Sequence, residues 1–126
     1  MGNRESLKRP HARLDVWQEA MSLVEMIYAY SSRFPDAERF GLTAQIRRAA
    51  ISIPSNIAEG AARRSSPEYQ RFLSIARGSL SELDTQLHIA TRLGYGDIAP
   101  AVFDCVDSVF AKLTALMNAI NKRGAS

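Results

Sequence analysis

Two segments of the chain repeat apolar residues at alternating spacings of four and three. Tyr69, Leu73, Ala76, Leu80, Leu83, Leu87 and Ala90 form one seam, and Val102, Val106, Val109, Leu113, Leu116 and Ile120 form the other. A strand repeats every second residue, whereas a helix packed along a neighbour repeats roughly every 3.5. The pattern commits both segments to long amphipathic helices with crossing angles of about 20°. Ser65-Ser66-Pro67-Glu68 combines a capping serine, a first-turn proline and an early acid, and so starts the third helix. That helix is predicted to end at Gly94, in the turn LGYGD. The fourth begins near Pro100 and ends near Arg123, with Gly124 as its stop signal.

Two more helical segments precede these. In the first, Asp15 is placed to cap and Gln18 to complete a capping box. Trp17, Ala20, Met21, Val24, Ile27, Tyr28 and Ser31 give it an apolar face, and Pro35 stops it near Arg33. PDAERFG then turns the chain. The second segment carries Leu42, Ile46, Ala49, Ala50, Ile53, Ile57 and Ala61 on one face. Pro54 lies within it, and an internal proline costs about 3 kcal/mol. The apolar phase is unbroken across Pro54, so the spacing predicts a helix that continues with a kink to about Ala62–Arg64. Ser52 and Ser55 are placed to bond carbonyls around the proline. No segment sustains strand alternation. The expected fold is all-α: an antiparallel up-down-up-down four-helix bundle over 14–123, preceded by a flexible basic arm, 1–13.

At 126 residues the chain suits one domain with a real core. Its single cysteine, Cys105, excludes an internal disulfide and fits a cytoplasmic setting. No apolar run approaches the length of a membrane span. Met1-Gly2 with Ser6 fits a short myristoylation pattern. More apolar surface is present than one bundle needs. Phe103, Phe110 and Met117 form a second stripe on the fourth helix, and Ala44, Ile51, Ala58 and Ala62 a second face on the second. These either widen the core or mediate self-association, as does the small pair Gly78-Ser79.

The residues for catalysis or metal binding are not assembled. His11 lies in the arm, His88 has Asp84 four residues before it, and the repeated Glu-x-x-His of a di-iron bundle is missing. Cys105 reads as a small buried hydrophobe. No cofactor, metal or enzymatic activity is expected. The net charge of +3 is uneven: residues 1–13 carry four cations against Glu5, and residues 36–64 carry five arginines against three acids. Arginine forks suit phosphates. Arg47, Arg48, Arg63 and Arg64 on the second helix, extended by Arg71 and Arg77 on the third, are the candidate nucleic-acid contacts. Arg48, Ser52, Ser55, Asn56, Glu59 and Arg63 share a polar side of the second helix. Alternatively Glu59 pairs with Arg63 or Arg48 and the arginines solvate a surface.

The stretches QIRRAAISIPSNIAEG (45–60) and FLSIARGSLSELDTQLHIATRLGY (72–95) resemble the bacterial four helix bundle protein family, also called S23 or 23S rRNA intervening-sequence proteins. The similarity runs from about Leu14 to about Lys122. Its shared motif matches Arg47, Arg48, Pro54, Ser55, Asn56, Glu59, Gly60, Gly78, Ser79, Glu82 and Gln86. The resemblance implies a homopentameric barrel of helical bundles. It also implies kinship with the accessory protein of diversity-generating retroelements, which binds nucleic acid and a reverse transcriptase through basic residues. The expected function is a non-enzymatic, oligomeric protein that associates with RNA or DNA. The alternative is a protein-interaction scaffold that binds a protein partner and no nucleic acid.

Overall fold

A computed structural model describes residues 9–125. Its long helices are α1 (Asp15–Ser31), α2 (Leu42–Ala61), α3 (Ser66–Arg92) and α4 (Pro100–Ala125), with 3-10 turns at Pro10–Arg13 and Asp36–Glu38. No strand occurs among the described residues. Cross-helix contacts set the directions. Arg47 reaches Tyr28 and Ser31 between α2 and α1, and Ser52 meets Ser79 between α2 and α3. Gln70 bonds Met117 between α3 and α4, Lys112 meets Asp15 between α4 and α1, and Tyr30 at the end of α1 reaches Gly96 in the link before α4. Early residues of each helix thus face late residues of the next. The result is an antiparallel ring in the order α1, α2, α3, α4.

Both heptad seams bury as their spacing requires. Leu73, Ala76, Leu80, Leu83, Leu87, Val109 and Leu113 are fully enclosed, together with Ile46, Ile53 and Ile57 from α2. On α1 the spacing misleads. Val16, Ala20, Leu23, Ile27 and Tyr30 enter the core, while Met21 and Tyr28 stay 39% and 40% exposed. Two apolar stripes lie side by side on this helix, and only one can face the bundle axis. Phe103, Phe110 and Met117 of α4 pack against the core and widen it.

The ends differ in their accuracy. Ser65 caps α3 as predicted, its Oγ accepting from the Glu68 N–H at 3.3 Å. Gly94 follows α3 with a φ of 76°, and the Tyr95 N–H returns to the Ala90 carbonyl at 3.0 Å. That is the glycine-dependent reversal expected of a helix C-terminus. Asp15, however, is the first residue of α1 and caps nothing; Leu14 holds the cap position. Gln18 instead donates its side-chain N–H to the Ala12 carbonyl at 3.0 Å. This bond ties the turn Pro10–Arg13 to α1, and Ala12 is buried. Order therefore begins before Leu14; the rest of the proposed arm and the myristoylation pattern lie outside the described residues. Gly124 does not stop α4, which continues to Ala125.

Helix α2 runs unbroken through the buried Pro54. Ser55 donates to the Ile51 carbonyl at 2.8 Å, as its position predicts. Ser52 takes another role. Its Oγ lies 2.8 Å from Ser79 Oγ on α3, and Asn56 Nδ2 donates to the Ser52 Oγ and carbonyl at 2.9 and 2.8 Å. A proline ring on the core side is thus backed by hydrogen bonds on the polar side of the same helix.

The end holding the α1–α2 and α3–α4 links is closed by Glu38. One carboxylate oxygen accepts from the Leu42 N–H at 3.0 Å, at the positive start of α2. The other accepts from the Tyr95 hydroxyl at 2.7 Å. The Tyr95 bond first, then the Leu42 bond, hold this carboxyl below the usual carboxylate range. A depressed folded pKa stabilises the fold above the unfolded value of about 4.5 and loses that contribution as pH falls through the folded pKa. Glu38→Gln is therefore expected to flatten the acid limb of a stability-versus-pH curve below about pH 4.5. An unchanged limb in acid titrations followed by circular dichroism counts against this role.

Candidate nucleic-acid interface

The six candidate arginines do not form one patch. Arg47 is committed to the fold. Its Nε donates to Ser31 Oγ at 2.8 Å and its Nη2 to the Tyr28 carbonyl at 3.3 Å, and its guanidinium lies 4.4 Å from the Tyr28 ring centroid. A cation there satisfies the carbonyl end of α1. Arg77 sits mid-bundle, 3.5 Å from Thr114 Oγ1 of α4. Arg48 is exposed on α2, about four turns before Arg63.

Arg63, Arg64 and Arg71 do come together, around the link from α2 to α3. The guanidinium of Arg63 lies 4.6 Å from the Phe72 ring centroid and that of Arg71 5.7 Å from it. Arg63 also meets Glu59 at 3.8 Å across a pair that is largely exposed, so the predicted i,i+4 contact is present. Such a pair contributes little in water. Arg64 is exposed and unpaired among the described residues.

The topology adds cations that spacing along one helix does not reveal. The antiparallel order puts the start of α1, the end of α2, the start of α3 and the end of α4 at one end of the bundle. Pro10, Leu14, Ala61, Ser66, Tyr69, Ile120 and Arg123 line a common cleft there, which confirms the convergence. Arg9, Arg13, Arg63, Arg64, Arg71, Lys122 and Arg123 are all exposed at this end. Set against Asp15, Glu59 and Glu68, they give it a net charge of +4. The other described residues hold seven cations and nine acids, a net of −2. The far end is balanced: Arg33, Arg39 and Arg92 against Asp36, Glu38 and Asp97. A chain of modest charge is thus electrically polarised along its long axis.

The remaining chemistry-bearing groups are separate. Asp84 and His88 touch at 3.8 Å on the surface of α3, and the His88 ring lies 5.3 Å from that of Phe103. Cys105 is buried, and burial first, then Glu19, pushes its thiol pKa up. Lys112 bridges Asp15 at 2.6 Å and Glu19 at 3.2 Å, joining α4 to α1. Among the described residues, no group of three or more His, Cys, Asp or Glu side chains is placed to hold a metal ion. None of the described helices is long and apolar enough to cross a membrane.

The motif residues now have physical roles. Gly60 is a close approach between α2 and α3: a Cβ there would lie 2.9 Å from Phe72 Cβ and 3.2 Å from the Tyr69 carbonyl oxygen. Ser79 bonds Ser52, and Gln86 donates to Glu82 at 3.2 Å. Gly78 is different, since a Cβ there would meet nothing within 4 Å.

A family model for the 23S rRNA-intervening sequence protein matches residues 12–120. The chain belongs to this family. Among curated proteins, nothing matches it. For this member of the intervening sequence protein family, the matched region contains Arg13, Arg63, Arg64 and Arg71 of the basic end. Arg9, Lys122 and Arg123 lie outside it and complete the same surface.

Proposed function

We propose that the protein is a non-enzymatic nucleic-acid-associated protein of the cytoplasm that engages RNA or DNA phosphates with the basic end of its bundle. The observation that carries this reading is the gathering of seven exposed cations from all four helix ends. Phosphate contacts of this kind position a strand without reading its sequence. Phe72 already carries arginine on its ring, which favours backbone over base contacts. Labelled 23S rRNA fragments are expected to bind at low salt and to release steeply as salt rises. Absence of binding, or binding indifferent to salt, overturns the proposal.

The protein is further proposed to self-associate. Trp17, Met21, Val24, Ile51, Pro54 and Ala58 line an apolar groove of about 370 Å³ between α1 and α2. Ile75 and Ile89 of α3 and Leu93 just after it are 41%, 42% and 53% exposed on a different side. Two unlike apolar faces suit a head-to-tail contact that closes as a ring. The number five rests on the family resemblance alone. Gly78→Ala tests the α3 face. Helix propensity should stabilise the isolated subunit by about 1 kcal/mol, while the added methyl weakens the oligomer in light scattering. A clean monomer for the unaltered chain removes the self-association proposal. The same exposed faces support the second reading, a scaffold for a protein partner. That reading predicts partner capture unaffected by neutralising Arg63, Arg64 and Arg71.

A further inference from the structure

The basic end is concave at its centre. Leu14, Ala61, Tyr69, Leu116 and Ile120 give the cleft there an apolar lining, and Ser66 and Arg123 give it a polar part. Its volume is about 310 Å³. That is the small end of the usual range for ligand pockets, about 300–1,000 Å³, and suits one nucleotide rather than a longer segment. Ser66 is the first residue of α3, and Arg123 comes from the end of α4, so the polar part of the cleft joins two helices.

A strand running across a surface touches it with phosphates and does not fill an apolar hollow. A strand end is different. Its last base leaves the stack by breaking one stacking contact, whereas an internal base must break two. A terminal phosphate also bears more negative charge than a diester, about −1.5 to −2 at neutral pH. An apolar cleft with Arg123 in its lining, at the positively charged end of the bundle, matches both properties. We infer that this cleft takes the terminal nucleotide of a nucleic-acid strand, the base against Tyr69, Leu116 and Ile120 and the terminal phosphate toward Arg123 and the Ser66 hydroxyl. The inference rests on the nucleic-acid reading above and adds the part of the ligand that is recognised.

Three forms of one short unstructured RNA test it with the full chain: a linear form phosphorylated at both ends, the same form dephosphorylated, and the ligated circle. The phosphorylated linear form should bind about tenfold more tightly than the circle, the gain of roughly one charge-assisted hydrogen bond, with the dephosphorylated form between them. Ala61→Phe, which fills the cleft, should bring all three to the affinity of the circle while salt dependence remains. Equal, salt-sensitive binding of all three forms by the unaltered protein overturns the terminal-nucleotide inference and leaves the basic-end reading intact. Binding of none of them overturns both.

Discussion

Replacing Gly60 with alanine is expected to destabilise the protein, although alanine is the better helix former by about 1 kcal/mol. The new methyl would sit 2.9 Å from Phe72 Cβ and 3.1 Å from a Tyr69 ring carbon, inside contact distance. The Tyr69 carbonyl oxygen at 3.2 Å belongs to the backbone of α3, so no side-chain rotation relieves the clash. The helices must move apart at this close approach, and overpacking of this kind costs about 1–3 kcal/mol. Offset by helix propensity, the net loss should be up to about 2 kcal/mol, seen as a lower denaturant midpoint with an unchanged slope. Gly78→Ala supplies the contrast on the same helix pair, because the space around Gly78 is open. A Gly60→Ala variant as stable as the unaltered protein would show that α2 and α3 do not meet this tightly.

The second large effect concerns binding. Arg63→Gln, Arg64→Gln and Arg71→Gln together are expected to weaken RNA binding strongly at low salt. If each arginine neutralises one phosphate, the slope of log affinity against log salt should fall in magnitude by about two to three. Arg47→Gln should do the reverse. Its guanidinium holds the Tyr28 carbonyl and Ser31 Oγ at the end of α1, so its loss should cost about 1 kcal/mol of stability and leave the slope unchanged. Melting curves separate the two outcomes. A triple variant that keeps the original slope would show that the contacts lie elsewhere.

Much of the fold was legible because burial is periodic. The α3 and α4 seams, the α2 stripe and the caps at Ser65 and Gly94 are each set by neighbours in sequence. Helix α1 was harder, since Trp17, Met21 and Tyr28 are as apolar as Val16, Leu23 and Tyr30. Only the position of α2 decides which stripe faces the core. The candidate site was legible in part for a related reason. Arg63 and Arg64 adjoin in sequence, and Arg71 follows one turn into the next helix. Arg13 and Lys122 stand at opposite ends of the chain, and only the antiparallel topology brings them to one surface. Arg47 shows the opposite failure: its charge suggested a ligand, while its partner was the end of another helix. Ser52, Asn56 and Ser79 belong with it, as polar residues whose roles lie in packing α2 against α3.

The central claim is that nucleic acid meets the protein at one end of the bundle. Amide hydrogen exchange measured with and without RNA tests it most directly. Protection is predicted around residues 9–15, 61–71 and 116–123, with little change around 33–41 and 92–98. Protection centred on the Glu38–Tyr95 end, or spread evenly along the helices, would contradict the account.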